Sequence, residues 1–208
     1  MSFFDPPEEP DRAAWAEERP RRPDWWDEPD TVLGGVVTTQ FVLARTDTLA
    51  IAVRQIVAYP AGFRMGLVII ARDGHLLPEG GPDFGPGSRR GGGSAETAFR
   101  FGLRYADGTK LEASWQAPYL GRDVSRPPDL DHLSGLDEAP RPFIAPSGGS
   151  GGTGLQWYGG YWATPLPPPG PLGFVAQWLD GGVPETTVTI EADAILDAAR
   201  TSRSIWDS

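Results

Sequence analysis

TAFRFGLRYADGTKLEASW, residues 97–115, is the stretch whose reading decides the fold. Phe99, Phe101, Leu103 and Tyr105 alternate with Ala98, Arg100, Gly102 and Arg104, so one face is apolar and the other carries cations. Asp107-Gly108 supplies a turn, and Leu111, Ala113 and Trp115 continue the apolar face on the return. Alternation of this kind belongs to an antiparallel sheet with one face on a core and the other in water.

The same pattern recurs on either side. VVTTQFVLA (36–44), TLAIAVRQIVAY (48–59) and FRMGLVIIA (63–71) are strand-like runs broken at Thr46-Asp47 and at Pro60-Ala61-Gly62. LGFVAQW (172–178) and ETTVTIE (185–191) add two more strands. The period then changes: Ala192, Ile195, Leu196 and Ala199 fall at helical spacing, with Asp193 as the expected N-cap and Arg200 and Arg203 at the negative end. Ile205 and Trp206 beyond it are expected to pack as a plug. Seven or eight short strands and one terminal helix predict an all-β fold. The expected form is an antiparallel β-sandwich, of which the immunoglobulin-like topology is one version.

GLQWYGGYW (154–162) admits two geometries. As one straight strand it sends Trp157 and Tyr161 to one face and Tyr158 and Trp162 to the other. As a hairpin turning at Gly159-Gly160 it pairs Tyr158 with Tyr161 and Trp157 with Trp162. Either way the rings are expected in a core, where large aromatic side chains dominate. Exposed, Trp157, Tyr158, Tyr161 and Trp162 would instead form a platform for a carbohydrate or other small ligand.

Two long irregular stretches, 73–96 and 116–153, read as loops on the domain spanning 31–208. GGSGG (148–152) matches G-x-S-x-G, and GSGGTG (149–154) matches G-x-G-x-x-G. The first requires a strand-to-helix elbow and the second a strand before and a helix after. Here a Pro-rich stretch precedes and a strand follows, so neither match is assigned chemistry. PDLDHLSGLDE (128–138) clusters Asp129, Asp131, His132, Asp137 and Glu138, but a calcium loop starting at Asp129 fails at Leu133, Ser134 and Pro140. His75 and His132 lie in separate loops, and no triad or paired-carboxylate signature stands out. No metal, cofactor or catalytic residue is expected. PLPPPGP (165–171) is read as a stiff crossover between sheets rather than a polyproline ligand.

Residues 1–30 are rich in Pro and charge, with ten acidic against four basic side chains, and are expected to be mostly disordered. Asp11–Arg19 has the makings of one short helix. Trp15, Trp25 and Trp26 are out of place in a solvating tail, and they are expected to dock on a partner or on the chain's own domain. The net charge of −10 argues against a nucleic-acid partner. The 208 residues contain no Cys and no apolar run long enough to span a bilayer, and the start has no signal-peptide pattern, so a cytoplasmic setting without membrane contact is expected.

VRQIVAYPAGFRMGLVI (53–69), PLPPPGPLGFVAQW (165–178) and GVPETTVTIEADAILDAARTSRSIW (182–206) together resemble a family of β-rich proteins from high-GC actinobacteria. The resemblance spans Val36 to Trp206 by general pattern and implies a β-rich fold. That family has no established activity, so no functional residue is carried over. The expected function is therefore a non-enzymatic module that binds an unknown protein partner, with Trp15, Trp25 and Trp26 as the docking element. The alternatives are ligand binding by the 157–162 rings and an enzyme with a loop-borne site over Asp129–Glu138.

Overall fold

The computed structural model describes residues 23–72, 77, 82, 97–114 and 141–206. Trp15, Asp11–Arg19, His75, Trp115, His132 and the Asp129–Glu138 cluster lie outside the described residues.

In chain order the strands are β1 (Val32–Leu33), β2 (Gly35–Val37), β3 (Phe41–Arg45), β4 (Leu49–Tyr59), β5 (Gly62–Ala71), β6 (Arg100–Arg104), β7 (Lys110–Glu112), β8 (Phe143–Thr153), β9 (Gln156–Thr164), β10 (Pro171–Trp178) and β11 (Val183–Glu191). One helix, α1 (Asp193–Arg200), and a two-residue strand, β12 (Arg203–Ser204), follow. The chain is mostly β, in antiparallel sheets with a single short α-helix among the described residues, as the alternation predicts.

The deciding stretch is a hairpin. Leu103 pairs with Leu111, and Gly108 takes φ 88°, a conformation that suits glycine at a tight turn. Thr109 N–H donates to Asp107 Oδ1 at 2.9 Å, which holds that carboxyl below its ordinary range.

Two sheets form the body. The six-stranded sheet runs β2-β4-β5-β9-β8 with β3 also paired to β4, and the four-stranded sheet runs β11-β10-β6-β7. Their facing sides share one apolar core. Phe101 of β6 lies against Tyr161 of β9 with ring centroids 4.9 Å apart, and Phe41 of β3 meets Phe174 of β10 at 5.1 Å. Phe99 stands edge-on to both Trp157 and Trp178. Burial raises the Tyr161 hydroxyl well above its ordinary range. Helix α1 joins this core by burying Ile195, Ala198 and Ala199, its apolar stripe, with Val37, Ile56 and Ala58 in the same cluster. The proline-rich segment after Thr164 carries the chain from the six-stranded to the four-stranded sheet, the crossover its composition predicts.

Four expectations need correction. VVTTQFVLA is two strands, β2 and β3, because both pair with β4 at separate places, Val36 opposite Val57 and Val42 opposite Ala52. The loop expected over 116–153 ends in an eleven-residue strand, β8, whose glycines carry no side-chain pattern and are held by the backbone ladder to β9. The formal motif matches there therefore sit in a strand, with neither an elbow nor a helix. Asp193 is the first residue of α1 and not its cap, since Ala192 already has helical φ and ψ. Ile205 and Trp206 are exposed rather than a plug: the Val32–Ser204 pairing and the Ile205 N–H to Thr31 carbonyl bond hold this end of the chain beside β1, leaving the side chains outside.

Candidate functional site

The outer face of the six-stranded sheet is where most of the singled-out residues meet. GLQWYGGYW is the straight-strand alternative, β9, paired without a break to β5 from Phe63–Ala163 to Ile70–Gln156. Period two then sends Trp157 and Tyr161 into the core between the sheets and Tyr158 and Trp162 to the outside. Three of the four rings are buried, and only Tyr158, 53% exposed, reaches solvent. A four-ring ligand platform is not formed, because the inner pair is sealed by the second sheet and Trp162 is covered from outside.

The cover is the segment just before β1. Trp25 and Trp26 are 2% and 7% exposed and pack with Val57, Tyr59, Phe143, Ala145 and Trp162 in a second, smaller core on the outer face. The Trp162 indole N–H donates to the Trp25 carbonyl at 2.9 Å. Acidic neighbours anchor the far side of the strap: the Tyr59 hydroxyl donates to Glu28, and the Ser147 hydroxyl donates to Asp27 Oδ1 at 2.5 Å. Burial, and secondarily the Glu28 carboxylate, raises the Tyr59 hydroxyl well above its ordinary range.

Arg64 marks the border of this strap. Its Nε lies 3.3 Å from Glu28 Oε2, close enough for an ion pair but not aligned as a hydrogen bond. Its guanidinium lies beside Gly160 of β9, where an added Cβ would come within 3.3 Å of Nη2 and 2.3 Å of the Ser147 carbonyl oxygen. Glycine at 160 is thus required by close approach.

Further along the same strands the face is open. Cross-strand register lines up Val42, Ala52, Val68, Tyr158 and Gly151 in one row, and Arg45, Ala50, Ile70, Gln156 and Thr153 in the next. Val42, Ile70 and Tyr158 are exposed, the alanines between them are half-buried, and Val68 in the middle of the first row is buried. Arginines stand around this apolar floor. Arg45 and Arg72 flank a shallow cleft of about 260 Å³ floored by Leu49, Ala50, Ile70 and Ala71. A β-bulge in β4 leaves both Arg54 and Gln55 exposed. No ion pair joins Arg45, Arg54 or Arg72 to another described residue, and the acids nearest in sequence are Asp73, next to Arg72, and Asp47 in the β3–β4 turn.

The outer face of the four-stranded sheet is different in kind. A hollow of about 280 Å³ there is lined by Arg100, Gly102, Arg104, Lys110, Glu112 and Glu185, with Arg100 and Glu112 joined by bonds of 2.7 and 3.1 Å. That face is a solvated charged surface, as the alternation in 97–115 predicts.

Sequence reasoning singled out Trp25, Trp26 and the 157–162 rings, and the structure gathers Trp25, Trp26 and Trp162 in one cluster. It missed Glu28, Tyr59 and Arg64 in the strap, and Val42, Ile70 and the arginines of the open half. One signal was available: in FRMGLVIIA both parities are apolar, Met65, Leu67 and Ile69 on one side and Val68 and Ile70 on the other, which marks a strand with an apolar outer face.

Among the described residues no group of three or more His, Cys, Asp or Glu is placed to hold a metal ion, and no helix is long and apolar enough to cross a membrane. No protein-family model, curated protein or solved structure matches the chain.

Proposed function

We propose that this chain is a non-enzymatic protein-binding module built as an immunoglobulin-like β-sandwich. Strand order supports the fold. The pairing orders β4-β5-β9-β8 and β11-β10-β6-β7, all antiparallel, correspond to the A-B-E-D and G-F-C-C′ orders of that sandwich, with β2 and β3 added beyond A. Fold alone carries no function, so the binding reading rests on a single surface.

That surface is the open half of the outer face, where Val42, Ile70 and Tyr158 stay exposed on an uncharged floor ringed by arginines. An apolar patch with a polar rim is the usual mark of a protein-contact surface. Trp25 and Trp26 enter this reading not as the docking element but as the chain's own cover over the neighbouring half.

The test is photo-crosslinking from the full chain carrying benzoylphenylalanine in place of Tyr158, in extract of the source cells, against the same probe in place of Thr186 on β11. A protein crosslinked from position 158, absent from position 186 and lost on adding Ile70→Glu is expected. Equal crosslinking from both positions, or none from 158, overturns the reading.

A further inference from the structure

The open half has a template beside it. On the strapped half, an acidic segment with two adjacent Trp residues, Pro23-Asp24-Trp25-Trp26-Asp27-Glu28, lays its rings on the sheet and sets its carboxylates against Ser147, Tyr59 and Arg64. The face tolerates this because the residues beneath are either apolar or too short to obstruct, Val57, Ala145 and Gly160 among them. The rows of the open half begin four residues further along the same strands, a displacement of about 13 Å. They repeat the composition: small or apolar side chains at Ala50, Ala52, Gly66 and Val68, and cations at the border.

We propose that the open half takes an acidic, aromatic-bearing peptide segment of a partner protein, seated as Pro23–Glu28 is seated on the strapped half. The proposal rests on the protein-binding reading above and specifies its partner. Charge complementarity carries it. In a chain of net charge −10, this face presents Arg45, Arg54 and Arg72 exposed and without an ion pair to any described residue. Carboxylates of an arriving segment meet that rim, and Arg favours them through bidentate hydrogen bonding and through stacking on aromatic rings. The cleft between Arg45 and Arg72, about 260 Å³, falls below the roughly 300–1,000 Å³ of a drug-sized ligand site and is of side-chain scale, open to one ring or branched chain over Ile70. Tyr158 bounds the floor on the β9 side as a second apolar contact.

The experiment titrates the full chain with three synthetic ten-residue peptides by calorimetry: GSEDWFEDSG, the same peptide with every acid replaced by Lys, and the same with Trp and Phe replaced by Ala. Saturable binding of the first is expected, weakened about tenfold or more in the other two and weakened again as salt is raised. Ile70→Glu and Arg72→Glu, both exposed positions that leave the core untouched, are each expected to cost at least about tenfold in affinity, with thermal unfolding of each variant as the check that the fold is kept. Absence of binding at millimolar peptide, or equal binding of the Lys peptide, overturns the proposal. So does binding strengthened in Trp25→Ala and unchanged in Ile70→Glu, since the peptide would then be displacing the strap. Concentration-dependent dimerisation abolished by Ile70→Glu would make a second copy the occupant, also against it. If position 158 crosslinks a protein while the acidic peptide does not bind, the protein-binding reading stands and this partner chemistry falls; failure of both removes both.

Discussion

The two halves of the outer face of the six-stranded sheet share the same strands but differ in cover. Around Trp162, which is 1% exposed, the sheet is roofed by Trp25 and Trp26; four residues away on β9, Tyr158 stands in solvent. Both halves are apolar, so hydrophobicity alone does not distinguish them. What differs is a segment able to reach. Pro23–Glu28 precedes β1 by only a few residues and lands on the rows that carry Tyr59 of β4 and Trp162 of β9, with Arg64 at its limit. One half has thereby become a second core, and the other remains a surface. An apolar sheet face is stable in either condition, and whether it is core or interface is decided by what the rest of the chain brings to it.

Substitutions that remove the difference between the halves should rank by how much cover they disturb. The largest effect is expected for Trp162→Ala, which empties the centre of the small core and strands the Trp25 carbonyl: a loss of about 3–5 kcal/mol in denaturant unfolding. Trp25→Ala should follow at about 2–3 kcal/mol, with a red shift in tryptophan emission as water reaches Trp162.

Glu28→Gln weakens the polar anchor and should cost about 1 kcal/mol, because the Arg64 ion pair is partly exposed and the Tyr59 hydroxyl keeps an acceptor. The same anchor gives a pH dependence with a definite sign. Tyr59, Tyr105 and Tyr161 are all raised above the ordinary tyrosine value, first by burial in each case. Their neutral forms favour the folded state, so the contribution is complete below the unfolded value of about pH 10 and is lost as pH rises beyond it. Unfolding curves should therefore show falling stability from about pH 10 upward, less steeply in Tyr59→Phe. Stability that is flat through that window would contradict the burial of these hydroxyls.

The smallest effect belongs to the open half. Tyr158→Ala should change stability by no more than about 0.5–1 kcal/mol, while removing a contact of the proposed binding surface. A loss there as large as that of Trp162→Ala would mean that the open half is not open.

The comparison also sets what was legible in the sequence. Alternation in 97–115 and the apolar runs at 48–71 and 172–191 carried the strands, because period two is written in the side chains themselves. Residues 148–152 fall in the stretch expected as a loop, since glycine and serine carry no such period, and only pairing with β9 makes them a strand. The four rings of 157–162 could be placed on alternate faces but not assigned a cover, for Trp162 is buried by residues more than a hundred positions away. Separation along the chain, 31 positions from Glu28 to Tyr59, also hid the strap's anchors: nothing local to Glu28 points to Tyr59 or Arg64. Exposure of Ile70 and Tyr158 was equally out of reach, because it depends on the strap stopping where it does.

Hydroxyl-radical footprinting of the full chain, read residue by residue by mass spectrometry, tests the contrast most directly, with Trp206, 79% exposed, as the internal reference. Trp25, Trp26 and Trp162 should be strongly protected relative to Trp206, while Tyr158 and Ile70 are modified. Modification of Trp25 and Trp26 at the rate of Trp206 would contradict the account, since the strap would then not cover the sheet and the two halves of the face would be alike.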